Sequence, residues 1–138
     1  MIYDNKTVKE ELENMGFVKN GLIGFGQTAM NYGGGLIGSI IANAVANKFA
    51  IVQLNDKIMV IPFEDTKINY EKAQSFEKED LKKAKVCGGI FSYRRLKIVK
   101  KNGASYKFYI TSGKNEVKTM LNNLGFNLKE EKTNGKEV

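Results

Sequence analysis

Between Lys82 and Asn115 stand ten basic residues, Lys82, Lys83, Lys85, Arg94, Arg95, Lys97, Lys100, Lys101, Lys107 and Lys114, without one Asp or Glu. A block this one-sided attracts polyanions: phospholipid head groups, nucleic acid or the acidic face of a protein. The same pattern on a solvated sheet face would serve solubility alone. Upstream of Asn20, three Lys oppose four acids, so the net charge of +7 arises from Lys48 onwards.

Other kinds of chemistry find little material. The absence of His removes the commonest general base, the Ser-His-Asp arrangement, Cys-His dyads and imidazole metal ligation. Cys87, the single cysteine, can form neither a zinc-thiolate cage nor an internal disulfide. Beside Lys85 its thiol could be activated, but in an apolar strand it reads as packing. Glu64-Asp65 and the trio Glu77, Glu79 and Asp80 sit among lysines in polar segments, with nothing to raise a carboxyl pKa for acid–base work. Gly33-x-Gly35-x-x-Gly38 lacks the preceding strand and the following acid of a dinucleotide fingerprint, and it is no phosphate loop. The expectation is a protein that is not an enzyme and uses neither cofactor nor metal.

These basic residues need elements to position them. At 138 residues the chain suits one domain with a core that needs no disulfides. Hydrophobic content of 42%, with eight Phe and six Tyr, points to a folded chain. Residues 1–20 read as an amphipathic helix: Thr7 and Glu10 form a capping box, Val8, Leu12 and Met15 share a face, and Gly16 ends it before Phe17. The first residues lack the basic start and apolar run of a secretory signal, so a cytoplasmic location is expected.

Residues 21–47 hold no charge at all. Phe17 to Phe25 reads as a strand with a turn at Asn20-Gly21, and Gly33 to Gly35 break regular structure. Leu36 to Ala46 then reads as a helix in which Gly34, Gly38, Ala42 and Ala46 form a ridge of small side chains suited to self-association. As a helix that stretch spans roughly 17 Å against about 30 Å of hydrocarbon, so it is expected to pack within the fold, with shallow membrane insertion as the alternative, rather than to cross a bilayer.

Residues 48–126 form the main domain. Lys48 to Phe63 predicts a hairpin turning at Asn55-Asp56-Lys57, with Pro62 at a strand end or edge. Lys67 to Phe76 is a further strand candidate. Leu81 to Val86 is another, with Ala84 and Val86 on one face and Lys83 and Lys85 on the other. A second hairpin turns at Asn102-Gly103; Leu96 and Ile98, with Tyr106, Phe108 and Ile110, face inward, and Lys97, Lys107 and Tyr109 face away. Val117, Met120, Leu121 and Leu124 mark a closing helix capped by Ser112 or Asn115 and ended by Gly125. Its tail end, Val117-Lys118-x-x-Leu121-x-Asn123-Leu124-Gly125-Phe126, echoes Val8-Lys9-x-x-Leu12-x-Asn14-Met15-Gly16-Phe17, a shared helix recipe rather than a duplication. Residues 127–138 are a charged tail, expected to be disordered.

The stretches AIVQLNDKIMVIPFED, DLKKAKVCGGIFSYRRLKIVKKNGASYKFYI and KNEVKTMLNNLGF, from Phe49 to Phe126, together resemble the bacterial pleckstrin-homology-like domains, including those related to GRAM domains. That resemblance implies an α+β fold: a bent antiparallel sheet or partly open barrel with a C-terminal capping helix, here preceded by a helical, glycine-rich extension. It also implies a non-catalytic scaffold for lipid head groups or proteins. Phosphoinositide-gripping members carry basic residues around the first hairpin loop, whereas Asn55-Asp56-Lys57 offers one lysine beside an acid.

The functional expectation is therefore an adaptor whose sheet docks a protein partner or an anionic membrane surface, peripherally at the inner face of the membrane. Lys83, Lys85, Arg94, Arg95, Lys97, Lys100 and Lys101 would supply charge, and Phe91 and Tyr93 aromatic anchors. The alternative is a small nucleic-acid-binding protein in which Tyr93, Tyr106 or Tyr109 stacks on bases. Homo-oligomerisation through the glycine-rich helix is a further expectation.

Overall fold

Seven strands and two α-helices make up the described part of the computed structural model, which covers residues 4–27, 48–64, 66–88 and 94–126. In chain order these are α1 (Asn5–Asn14), β1 (Gly24–Gln27), β2 (Lys48–Leu54), β3 (Lys57–Phe63), β4 (Gln74–Glu77), β5 (Leu81–Cys87), β6 (Arg95–Lys100), β7 (Ser105–Ser112) and α2 (Lys114–Asn123). The strands form one antiparallel sheet in the order β4-β3-β2-β1-β7-β6-β5. The architecture is α+β, a curled half-barrel with a helix at each end of the chain. The expected helix at Leu36 to Ala46, its ridge of Gly34, Gly38, Ala42 and Ala46, and the tail at 127–138 lie outside the described residues.

Curling follows from how the inner face is filled. A flat sheet would hold β4 and β7 roughly 19 Å apart, four steps of about 4.8 Å. Instead the Phe76 ring of β4 lies 5.1 Å from Tyr106 and 5.9 Å from Phe108 of β7. Those rings share a core with Phe49, Ile51, Ile58, Leu96 and Ile98, closed by Val117, Met120 and Leu121 of α2 and by Leu124 at its C-cap. Burying those four side chains contributes roughly 6–12 kcal/mol of gross transfer energy.

A second apolar cluster lies on the outer face, under α1. Val8 and Leu12 pack there on Phe25, Ala50, Val52, Ile61 and Phe63. β2 and β3 thus bury both faces, which is why their sequences read as nearly unbroken apolar runs. The Tyr70 hydroxyl ties α1 down by donating to the Glu11 carboxylate at 2.9 Å. Met15, placed on the buried stripe by its spacing, is instead 55% exposed.

β1 sits at the centre of the sheet, between β2 and β7, and its glycines make that position accessible. A Cβ at Gly26 would overlap the Tyr109 carbonyl oxygen and come within 2.7 Å of the Phe49 ring, and one at Gly24 would come within 2.5 Å of Val117. So Gly24 to Gln27, near the start of the uncharged stretch, belong to the sheet itself. Gln27 pairs with Lys48, so residues 28–47 connect two adjacent strands.

Several local expectations change. The N-cap of α1 is Asp4, whose Oδ1 accepts from the Thr7 backbone N–H at 2.9 Å, so Thr7 lies inside the helix and the Thr7–Glu10 capping box does not form. The N-cap of α2 is Gly113, in a left-handed conformation at φ 81°, rather than Ser112 or Asn115. Gly113 presses on β1, where a Cβ would come within 2.6 Å of the Ile23 carbonyl oxygen. Between Lys67 and Phe76 only the last residues pair as a strand, because Asn69, buried by its bonds to the Pro62 carbonyl and Glu64 carboxylate, initiates a 3₁₀ turn at Tyr70–Lys72. Pro62 does lie near a strand end, beyond Val60, the last β3 residue paired with β4. The echoed sequences end both helices identically. The Phe17 N–H reaches the Leu12 carbonyl and the Phe126 N–H the Leu121 carbonyl, each at 2.9 Å, around Gly16 and Gly125 at positive φ.

Candidate functional site

Strand alternation sorts the basic block onto two faces. Ala84, Leu96, Ile98, Phe108 and Ile110 take the inner face, which leaves Lys83, Lys85 and Cys87 of β5, Arg95, Lys97 and Val99 of β6, and Lys107 and Tyr109 of β7 on the outer one. Lys85 pairs with Lys97, and Lys97 with Lys107. Three lysines therefore stand in a row across three adjacent strands, about 4.8 Å per step at the backbone. Lys83 lies two residues along β5, and Arg95, flanked by Cys87 and Tyr109, two residues along β6.

This row depends on one turn. A two-residue Asn102-Gly103 hairpin loop would have paired Lys97 with Phe108, and a slip of one residue exchanges the faces of a strand. The chain uses a three-residue loop, Lys101 to Gly103, in which Lys100 N–H donates to the Ala104 carbonyl at 2.8 Å and Gly103 takes φ 98°. Lys107 is thereby aligned with Lys97. Lys107, outward by the alternation Ser105-x-Lys107-x-Tyr109, thus joins the basic set expected from Lys83, Lys85, Arg95 and Lys97.

Among the described residues the row has no counter-charge. Lys57 pairs with Glu77 at 4.0 Å on the β3–β4 pair, whereas among the described residues no ion pair involves Lys83, Lys85, Lys97 or Lys107. Like charges directly opposite each other destabilise a sheet. The cluster beneath α1 draws its strand residues from β1, β2 and β3, so the outer face is divided: apolar and helix-covered on that half, basic on the other.

The remaining expected site residues are dispersed. Arg94 lies toward α2, where its guanidinium, then Lys118, then burial hold the Lys114 ammonium below the usual lysine range. Lys100 points to the inner side, with its Nζ 5.7 Å from both the Phe76 and Tyr106 ring centroids, and its role there is packing. Lys101 lies in the turn and bonds through its N–H to the Asp80 carbonyl. It also lines an open cavity of about 560 Å³ with Asp56, Lys78, Glu79, Leu124 and Phe126. Tyr106 is turned inward, stacked parallel to Phe108 at 6.4 Å, and so cannot serve as a base platform. Phe91 and Tyr93 lie outside the described residues. Of the acids considered for catalysis, Glu64 holds the buried Asn69 side chain and Glu77 pairs with Lys57.

No described helix is long and apolar enough to cross a membrane. Neither the models of known protein families nor the curated proteins match this sequence, so its functional reading comes from the basic face itself.

Proposed function

We propose that this chain is a non-catalytic docking module that holds an anionic partner against the outer face of β5, β6 and β7. The observation that carries this reading is the row Lys85, Lys97 and Lys107, aligned across adjacent strands with no carboxylate paired to it among the described residues. Such a row costs stability in the free protein, and an anionic ligand relieves the repulsion as it binds. The curled seven-stranded sheet with its C-terminal helix is in keeping with a pleckstrin-homology-type scaffold, an architecture that by itself fixes no ligand.

Retention on immobilised heparin tests the face. Lys85→Glu/Lys97→Glu should elute at markedly lower salt than the parent. Lys19→Glu/Lys72→Glu, with the same charge change at exposed positions elsewhere, should elute close to it. Equal losses for both double variants would reduce the face to a general effect of net charge.

A further inference from the structure

Resting on that reading, we infer that the polyanion received by the basic face is a single-stranded nucleic acid, held through its phosphates. Three features of the face separate the anionic partners it could meet.

The first is curvature. The row of lysines runs across the strands, the direction in which the sheet curls around the core that brings Phe76 onto Tyr106 and Phe108. The outer face is therefore convex, and Lys85 and Lys107 fall away on either side of Lys97. A flat bilayer meets such a ridge along a narrow line, whereas a flexible phosphodiester chain follows the bend and brings a phosphate to each cation in turn.

The second is that the described residues of the face include no large exposed hydrophobic anchor. Protein interfaces place aromatic and apolar side chains at their centre and are depleted in lysine. Among the described residues the one large exposed hydrophobic side chain is Met15, on α1. The third is the residue set itself. Lys83, Lys85, Lys97 and Lys107 carry point charges on flexible stems, suited to phosphate oxygens regardless of base. Arg95 and Tyr109, cross-strand partners beside the row, add a guanidinium plane and an aromatic ring.

The salt dependence of binding reads out the number of phosphates engaged. Five cations, Lys83, Lys85, Arg95, Lys97 and Lys107, give a slope of log affinity against log salt of about −3.5 for a single strand, so affinity falls roughly 100-fold between 50 and 200 mM salt. Removing Lys85, Lys97 and Lys107 leaves a slope near −1.4 and a fall of about 7-fold.

The experiment is fluorescence anisotropy of the full chain with a fluorescein-labelled twenty-nucleotide oligothymidylate across that salt range. It compares the parent, Lys85→Gln/Lys97→Gln/Lys107→Gln, and the charge-matched control Lys9→Gln/Lys19→Gln/Lys72→Gln. Circular dichroism melts verify that each variant is folded, and single Lys97→Gln stands in should the triple variant unfold, with an expected loss of about 0.7 in slope. Co-sedimentation with phosphatidylserine–phosphatidylcholine vesicles runs in parallel. A steep slope that flattens in the face variant alone supports the inference. Vesicle binding that depends on the face, without oligonucleotide binding, overturns the nucleic acid and leaves the docking face standing. Binding to neither, or equal loss in both triple variants, overturns both.

Discussion

Lys97 lies between two lysines, which makes it the position where stability and binding should oppose each other most clearly. Its partners Lys85 and Lys107 stand directly opposite on either side. With the ammonium groups splayed to about 7 Å, each repulsion is roughly 0.6 kcal/mol in water, and the two total about 1 kcal/mol at low salt after modest screening. Lys97→Met removes that charge and keeps the length of the stem. It should stabilise the protein by about 1 kcal/mol at 20 mM salt, which at about 2 kcal/mol per molar urea raises the unfolding midpoint by roughly 0.5 M. At 0.5 M salt the Debye length shrinks to about 4 Å and most of the gain should vanish. Lys97→Arg, which keeps the charge, should show no comparable gain. Urea titrations followed by circular dichroism at both salt concentrations give the answer. A stabilisation independent of salt, or a loss of stability in Lys97→Met at low salt, would refute the claim that the row is a repulsive feature.

Other substitutions separate positions that hold the fold from those that bind. Gly26→Ala should destabilise by about 3 kcal/mol or prevent folding, because its methyl group overlaps the Tyr109 carbonyl oxygen and the Phe49 ring; thermal unfolding checks it. Lys100→Ala should lower stability by about 0.5–1 kcal/mol through loss of its contacts with Phe76 and Tyr106 while leaving heparin retention nearly unchanged. Tyr70→Phe should cost about 1 kcal/mol and speed amide exchange in α1 ahead of the sheet, since it breaks the bond to Glu11. The cap of α1 should be sensitive to pH. The Thr7 backbone N–H, above all, holds the Asp4 carboxyl below its ordinary range, so the cap is fully formed above the unfolded-state pKa and is lost as pH falls through the lower folded value. Asp4→Ala should abolish that acid-side change in helix signal.

Much of the fold could be read because it rests on local periodicity. Phe49 to Phe63 shows two apolar runs around a polar turn, Leu96 to Ile110 alternates strictly enough to assign faces, and Val117, Met120, Leu121 and Leu124 follow a complete helical stripe. Elements decided by partners distant in sequence could not be read so far. β1 is four residues with two glycines, a poor strand by propensity, and forms because β2 and β7 offer it two ladders and need its missing side chains. Gly113 as a helix start follows from its approach to Ile23, some ninety residues away along the sequence. For the site, charge and alternation located Lys83, Lys85, Arg95 and Lys97. Alternation also turned Tyr106 inward beside Phe108, but the contacts that Lys100 and Tyr106 make with Phe76 follow only from the curl of the sheet. The alignment of Lys107 with Lys97 depended on the length of a single turn.

Lysine-selective chemical footprinting with and without heparin, read residue by residue by mass spectrometry, tests the docking face most directly. Protection concentrated at Lys83, Lys85, Lys97 and Lys107, with Lys9, Lys19 and Lys72 unchanged, is the expected result. Protection spread evenly over the chain, or centred on another face, would contradict the assignment.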